Sequence, residues 1–347
     1  MKLVFAVPGD LNTPTGGYVY DKRIVAELRG MGWQVEVLDL GDGFPFADDA
    51  RLMRARDKLA RSPSDVPLVV DGLALGVLPE AATNLCESHR LIALVHHPLA
   101  YEAGLRPEQR TALEISEQQA LSQVKAVIVT SESTKSLLVS HYRVPAAAIA
   151  VVKPGNDRVT AAGGGGERLS LLAVGSLVPR KGYDVLVAAL SMLKELPWTM
   201  TIAGDRTRDT STAQQLEQQI ASSGLSDRIH LAGAVSDEAL AGLYSRADVF
   251  VLASRFEGYG MALADATAYG LPVVATNAGA IPEAVPAEAS ILVPPDDASA
   301  LANALRRVIS EKSFRETLAA NARAAASHLP AWRDQATLFA RAVEAAA

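Results

Sequence analysis

Two carboxylates, eight residues apart, mark the segment of this sequence best suited to chemistry. Glu257 lies in a glycine-containing turn, and Asp265 follows it in the stretch EGYGMALAD. The apolar run DVFVLAS precedes the turn, so we predict a strand, a loop and then a helix that begins near Gly260 or Met261. A helix start presents unpaired N–H groups and partial positive charge, which suit phosphate. Eight helical residues rise about 12 Å, roughly the length of a nucleoside diphosphate sugar. Without the strand-loop-helix context, a loop acid and a solvated helix acid would be the better interpretation.

A pair of cations follows another predicted strand, in VGSLVPRKGYDVLVAAL. Arg180 and Lys181 end a loop, and Gly182 opens the next helix directly behind them. Lysine as a point charge and arginine as a fork both suit a diphosphate. For Arg180 alone, a solvated basic turn is an equally good interpretation.

Polar and glycine residues also follow strands in the first half of the chain. Gly16 and Gly17 precede a helix after the first strand, where they offer backbone N–H groups to an oxyanion or simply form a turn. His96 and His97 end the strand in ALVHHPLAYE. A histidine at the carboxyl end of a strand is a candidate ligand contact. No HxxxH or HExxH motif and no acid cluster accompanies the pair in the sequence, so we predict no metal site.

The elements that position these residues predict an α/β fold of two domains. Apolar, β-branched runs alternate with helical patterns, which indicates parallel sheets covered on both faces. The same order restarts after the glycine-rich segment KPGNDRVTAAGGGGERLS. We therefore predict one domain over 1–155 and a second over 156–329, with a last helix over 330–347 that returns to the first. Ligands of such sheets bind at the carboxyl ends of the strands, so a site between the domains is expected.

Composition excludes several other classes of protein. The chain has 347 residues and a net charge of −6, which disfavours a general nucleic-acid binder. A single cysteine, Cys86, excludes an intramolecular disulfide and fits a cytoplasmic location. The apolar start LVFAV is too short for a signal peptide, and no apolar run approaches the length of a membrane span. GxGxxG and GxxxxGK[ST] motifs are both absent, which argues against a dinucleotide-binding fingerprint and a P-loop ATPase.

These motifs resemble those of the retaining glycosyltransferases of family 4, which have the GT-B fold, and the resemblance covers nearly the whole chain. It is most specific where VGSLVPRKG, LAGAVSDEAL, FEGYGMALADATAYGLPVVAT, NAGAIPEAV and ILVPPDDASALANAL follow one another. The resemblance implies that Glu257 contacts the sugar hydroxyls of a donor, that Asp265 holds the ribose and that Lys181 holds the diphosphate. It places His96 beside the transferred sugar.

The same resemblance implies further donor contacts along both halves. The turn Gly233–Ser236, which includes Val235, would cover the base, and the first half would form the acceptor domain. The remaining implied contacts are Gly16, Gly17, Ser176, Arg180, Gly258, Tyr259, Gly260 and Met261. The chain departs from the family pattern at Asp265, where glutamate is usual, and at Ser176, where arginine is frequent.

The resemblance implies a retaining hexosyltransferase that uses a UDP- or GDP-sugar as substrate and needs no cofactor or metal. Its acceptor would be a saccharide or a lipid-linked molecule of bacterial-type envelope glycan or glycolipid synthesis. The basic helix in ADDARLMRARDKLARS suits the inner face of a membrane, although a solvated helix face is slightly favoured. The alternatives are a GT-B phosphorylase, a nucleotide-sugar epimerase, or a catalytically weak partner subunit that binds sugar nucleotides.

Overall fold

The computed structural model divides the chain into two compact units. It describes residues 1–13, 15–102, 104–164, 166 and 168–346, so Gly165 of the predicted glycine-rich linker lies outside the described residues. One unit comprises Met1–Gly155 together with Pro330–Ala347, and the other comprises Asn156–Leu329. The chain therefore builds most of the first unit, then the whole second unit, and returns to the first for its last helix.

The first unit is built on a six-stranded parallel sheet. Its strands are β1 (Lys2–Val7), β2 (Gln34–Asp39), β3 (Leu68–Asp71), β4 (Leu91–Val95), β5 (Ala126–Val129) and β6 (Ile149–Val151). Their order in the sheet is β2-β1-β3-β4-β5-β6. Every residue of β3 and β4 is buried, as expected of parallel strands covered on both faces. The order changes direction between β1 and β3, which is where such sheets bind ligands.

Seven helices belong to the first unit among its described residues. They are α1 (Gly16–Gly30), α2 (Asp49–Ala60), α3 (Gly72–Leu75), α4 (Pro79–Leu85), α5 (Pro107–Leu121), α6 (Glu132–Ser140) and, at the end of the chain, α14 (Trp332–Ala345). The pattern analysis did not predict α3 and α4, because four and seven residues are too few to show a helical period. Helix α14 contributes Phe339, whose ring stacks 6.0 Å from that of Phe5 in β1.

The second unit repeats this architecture with a different strand order. Its strands are β7 (Leu169–Val174), β8 (Trp198–Ala203), β9 (Ile229–Gly233), β10 (Val249–Leu252), β11 (Val273–Thr276) and β12 (Ser290–Val293). They form a parallel sheet in the order β12-β11-β10-β7-β8-β9. Here the order changes direction between β7 and β10. The α/β fold with two parallel sheets, predicted from the alternating patterns, is confirmed.

The second unit has seven α-helices among its described residues. They are α7 (Tyr183–Ser191), α8 (Thr210–Ser222), α9 (Asp237–Arg246), α10 (Met261–Ala268), α11 (Ile281–Ala284), α12 (Ala298–Ser310) and α13 (Lys312–Ala326). The core on one face of the sheet is formed by α7, α8 and α12, and includes the fully buried Trp198. Across the described residues of both units, no helix combines the length and apolar character needed to cross a membrane.

Candidate active site

Glu257 lies in a buried ion cluster at the point where the second sheet changes direction. The Nζ atom of Lys181 donates to its Oε1 at 2.7 Å, and Arg180 donates from Nη1 to its Oε2 at 3.2 Å. The hydroxyl of Ser254 also donates to Oε1, at 2.5 Å. The exposed fractions of the three charged side chains are only 7% for Glu257, 13% for Lys181 and 17% for Arg180. Two cations therefore share one carboxylate, and the cluster carries an excess of positive charge.

The sheet order explains why residues 76 positions apart meet here. Lys181 follows β7 and Glu257 follows β10, and these strands are neighbours in the parallel sheet. The loops at their carboxyl ends therefore lie side by side. The sequence analysis identified all three charged residues but expected each to contact a ligand separately. It missed their contacts with one another.

Two glycines allow the backbones of this cluster to approach closely. Gly182 has a φ of 63°, and a Cβ atom there would lie 2.0 Å from the carbonyl oxygen of Ala253. Gly279, with a φ of 57°, would place a Cβ 2.4 Å from the carbonyl oxygen of Glu257. That carbonyl instead accepts a hydrogen bond from the N–H of Ala280 at 2.9 Å. The loops after β7, β10 and β11 are thus packed backbone to backbone, which fixes the position of Glu257.

The two cations determine the charge of Glu257. Burial alone would raise its pKa, but the fields of Lys181 and Arg180 and the hydrogen bonds from Lys181 and Ser254 outweigh burial and lower the pKa to about 2. Burial lowers the pKa of Lys181, and the Glu257 carboxylate opposes that effect. Glu257 is therefore a carboxylate at neutral pH and serves as a hydrogen-bond acceptor.

Helix α10 begins next to this cluster without a side-chain cap. Gly260 is the residue before the helix, and it has no side chain to accept a hydrogen bond from the first N–H groups. Those groups and the helix dipole favour an anion at this end. The expected rise of about 12 Å over eight helical residues is wrong, because the helix starts only at Met261. Four residues of helix separate Met261 from Asp265, a rise of about 6 Å.

Asp265 lies on α10 beside a polar and aromatic group of side chains. Its Oδ1 accepts a hydrogen bond from Nδ2 of Asn156 at 3.4 Å. The rings of Tyr244 and Tyr269 stack 5.1 Å apart, and the negative charge of Asp265 contributes to raising the pKa of both, after burial as the larger cause. Sequence reasoning did not single out these three residues. Asn156 and Tyr244 come from other segments of the chain, whereas Tyr269 directly follows α10, four positions after Asp265.

The other residues predicted to bind a donor lie around the same edge of the second unit. Ser176 follows β7 and is half-buried, and its carbonyl accepts from the N–H of Val178 at 2.9 Å. Val235 is half-buried and precedes Ser236, which caps α9. Gly258 and Tyr259 are buried in the loop between Glu257 and α10, with the Tyr259 ring in the hydrophobic core.

In the first unit, His96 and the glycine pair are brought together. Gly16 begins α1, and a Cβ atom on Gly17 would lie 3.2 Å from Cδ2 of the His96 ring. The ring of Tyr20 meets the same imidazole edge-on, with 5.3 Å between ring centroids. His97 does not share this environment, because its Nε2 contacts Oε1 of Glu102 at 2.9 Å.

Two buried acids also contact His96, so the expectation that no acid cluster accompanies it is wrong. The Nε2 atom of His96 lies 3.1 Å from Oδ1 of Asp21 and 3.5 Å from Oδ2 of Asp71. One candidate ligand atom from each of the three residues lies within 4.8 Å of the others, close enough to hold a metal ion. The spacing of these residues in the sequence does not reveal the cluster, because Asp21 lies on α1, Asp71 ends β3 and His96 follows β4. A signal was present, since Asp21 continues the apolar stripe of Ile24, Val25 and Leu28.

Comparison with known proteins finds a family model that matches most of the second unit. The family described as Glycosyl transferases group 1 matches residues 163–325. An MMP alpha-(1->4)-mannosyltransferase of Mycolicibacterium hassiacum is 29% identical over 314 residues, which are 85% of this chain and 74% of the relative. A D-inositol 3-phosphate glycosyltransferase of Geodermatophilus obscurus is 31% identical over 255 residues, 68% of this chain and 55% of the relative. The chain spans about half the length of most curated relatives it matches.

Solved structures share the fold along the whole chain. A sucrose-phosphate synthase from Thermosynechococcus elongatus has a TM-score of 0.84 at 21% identity and covers all of both chains. The Anabaena protein HepE, in complex with UDP-glucose, has a TM-score of 0.81 at 21% identity, over 99% of this chain and 100% of that one. These similarities confirm the predicted GT-B fold.

We expect Glu257→Gln to lower the free energy of unfolding by about 3 kcal/mol near neutral pH, because Lys181 and Arg180 would stay buried without a counter-charge. The folded-state pKa of Glu257 lies below its ordinary value, so this contribution is present above that ordinary value. It is lost as the pH falls towards about 2. The variant and the wild type should therefore converge in acid. Urea denaturation followed by circular dichroism measures the difference.

The matched control for this experiment is Glu288→Gln, which neutralises an exposed carboxyl in the same unit. It should change the free energy of unfolding by less than about 0.5 kcal/mol. Equal stability of the Glu257 variant and the wild type at neutral pH would contradict the structural role assigned to the ion cluster.

Proposed function

We propose, from the match of residues 163–325 to the family described as Glycosyl transferases group 1, that this chain is a retaining hexosyltransferase of family 4. It moves a hexosyl unit from a nucleotide-diphospho-sugar to a saccharide or lipid-linked acceptor. A UDP- or GDP-sugar is the donor, since relatives of the same fold bind UDP-glucose. No organic cofactor takes part.

The observation that carries this proposal is the cluster of Lys181, Arg180 and Glu257 beside the uncapped start of α10. It combines an excess of positive charge for a diphosphate with a fixed acceptor for hydroxyl groups. A sugar diphosphate presents both kinds of group within a few ångströms. The lysine ammonium has three N–H donors, and the carboxylate accepts one of them, so the same group can also serve a phosphate oxygen.

The hydrogen bonds around Glu257 narrow the proposed sugar contact to one atom. A carboxylate has about four acceptor positions, two on each oxygen. Lys181 and Ser254 use Oε1, and Arg180 uses Oε2. The remaining position on Oε2 therefore takes a sugar hydroxyl. Asp265, held by Asn156, accepts from the ribose hydroxyls at the other end of the donor.

The chemical step that follows is departure of the nucleoside diphosphate. Negative charge develops on the leaving phosphate, and Lys181, Arg180 and the N–H groups at Met261 stabilise it. The chain offers no side chain that we assign as a nucleophile. The acceptor hydroxyl attacks from the face that the diphosphate leaves, and a phosphate oxygen takes its proton. The new bond then keeps the anomeric configuration of the donor.

Helix α2 bears on the choice of acceptor, because a basic helix can lie on an anionic membrane surface. Two of its cations are engaged by acids of this chain. Arg51 pairs with Asp42 at 3.1 Å, and Arg56 pairs with Glu80 at 2.7 Å. These pairs favour a solvated helix face over a membrane contact, so a soluble saccharide is the acceptor we test first.

Lys181→Ala should lower kcat/KM by at least about a hundredfold, because the leaving diphosphate loses its buried cation. Circular dichroism should show that the variant stays folded. Lys194→Ala removes an exposed lysine of the same unit and should leave turnover unchanged. Near-normal turnover of the Lys181 variant would refute the role of this residue in donor chemistry.

Thermal-shift measurements with UDP-, GDP- and ADP-sugars identify the donor, because a ligand that binds only the folded protein raises its Tm by mass action. We expect one nucleotide class to raise the Tm of the wild type and to have little effect on Lys181→Ala. A protein that no sugar nucleotide stabilises would contradict the proposed donor site.

NMR of the product formed from that donor tests the reaction itself. An unchanged anomeric configuration supports retention, and an inverted one excludes it. Product that forms only when phosphate is the acceptor would identify a phosphorylase. An epimerised donor would identify an epimerase, and binding without turnover would identify a non-catalytic partner subunit.

Transfer should continue in the presence of EDTA, because Lys181, Arg180 and the start of α10 supply the positive charge that a metal ion provides in other enzymes. Initial rates with EDTA and with added Mg²⁺ or Mn²⁺ measure this. A loss of transfer in EDTA that either ion restores would show that the reaction needs a metal.

A further inference from the structure

His96 is the centre of a buried cluster that the proposed reaction does not by itself explain. Its Nε2 atom faces two carboxylates, Asp21 at 3.1 Å and Asp71 at 3.5 Å. The Asp21 side chain is fully buried and that of Asp71 is 5% exposed, whereas His96 keeps 18% of its side chain exposed. The acids are therefore behind the imidazole, out of contact with water, and the ring has the more exposed position.

The fold holds each member of this cluster in place. Asp71 ends β3 and accepts a hydrogen bond from the N–H of Leu73 at 2.7 Å, which fixes its carboxylate at the start of α3. Asp21 occupies the buried face of α1. Gly17 and the edge of Tyr20 pack against the ring of His96. With these contacts the imidazole has Nε2 towards the acids.

Two carboxylates against one ring nitrogen favour the charged form of the imidazole. Burial alone would lower the pKa of His96, but the charges and hydrogen bonds of Asp21 and Asp71 overcome burial and raise it to about 10. Tyr20, the other titratable group packed against the ring, is neutral, because burial raises its pKa well above the ordinary value. His96 is thus an imidazolium throughout the physiological range.

The buried Asp21 carboxyl is stabilised in its charged form by His96. Burial raises its pKa to about 7, the charge and hydrogen bond of His96 oppose the shift, and Asp71 adds to it. Its Oδ2 atom is buried and has no hydrogen-bond partner among the described residues. Taking up a proton there removes the cost of an unpaired charged oxygen.

We propose that Asp21 and Asp71 are positioning residues that hold His96 as an imidazolium, so that His96 acts on the substrate as a hydrogen-bond donor and not as a general base. The second half of this statement rests on the proposed function. A cationic donor suits the hydroxyl oxygens of the transferred sugar or a phosphate oxygen. It also leaves the acceptor proton to the leaving phosphate, because an imidazolium has no lone pair to receive it.

A metal ion held by the same three residues is the competing interpretation. The 3.1 Å between Nε2 and Oδ1 of Asp21 is a hydrogen-bond distance, with one proton between the ring and the carboxyl group. Two ligand atoms of one metal ion lie at a similar separation. Metal analysis of the purified protein therefore distinguishes the two interpretations and is part of the test.

NMR of protein with labelled histidines measures the titration of His96, one of six histidines in the chain. The His96→Gln variant identifies the His96 signal, because that signal is lost. In the wild type, the titration midpoint of His96 should lie well above the ordinary pKa of about 6.5. Asp21→Asn should lower it by more than about one unit, and Asp71→Asn should lower it in the same direction. Glu102→Gln, which removes the acid partner of the neighbouring His97, is the matched control and should leave the His96 midpoint unchanged.

The pH dependence of the transfer rate distinguishes a positioning role of Asp21 from a purely structural role. The wild-type rate should be flat between about pH 6 and 8, whereas the Asp21→Asn rate should fall by up to about tenfold over that range as His96 loses its proton. A wild-type midpoint near the ordinary value would overturn the proposal. Binding of one equivalent of metal by the wild type, lost in the Asp21→Asn variant, would also overturn it. If the midpoints behave as expected but no transfer occurs, the proposed function fails and the charged state of His96 stands.

Discussion

The second unit depends on one buried carboxylate shared by two buried cations. Glu257 ties the loop after β7 to the loop after β10, and without it Lys181 and Arg180 would repel each other in a site with little water. Buried ion pairs contribute little to stability compared with apolar packing, so their presence points to another use. Here the cluster keeps positive charge in excess, next to a helix start, ready for a ligand that brings its own negative charge.

The same principle of strand order organises both units. Parallel sheets bring the carboxyl ends of their strands to one edge, and ligands of such sheets bind at that edge where the strand order changes direction. In the second unit this point lies between β7 and β10, and it collects two cations and an acid. In the first unit it lies between β1 and β3, and the elements around it collect two acids and a histidine. The same sheet architecture thus holds a cluster richer in cations in the second unit and a cluster richer in acids in the first.

Sequence patterns predicted the parts of this protein that depend on local order. Runs such as DVFVLAS and KLVFAV identified strands, and Lys181 and Glu257 were recognisable because they follow strands and precede helices. Contacts between distant segments were not predictable in the same way. The pairing of Lys181 with Glu257 requires the strand order, and the contact of Asp21 with His96 requires the fold to bring α1 to the carboxyl end of β4. A charged residue within an apolar stripe was the one local sign of that second cluster.

The contact of Gly182 with Ala253 bears on how such sites can be redesigned. With no room for a side chain at Gly182, the backbone after β7 touches the backbone after β10 directly, and Gly279 extends the contact to the loop after β11. None of these three loops can change its path while the other two keep theirs. Chimeras between relatives must therefore transplant the three loops as one set, since a single grafted loop would meet neighbours shaped for another.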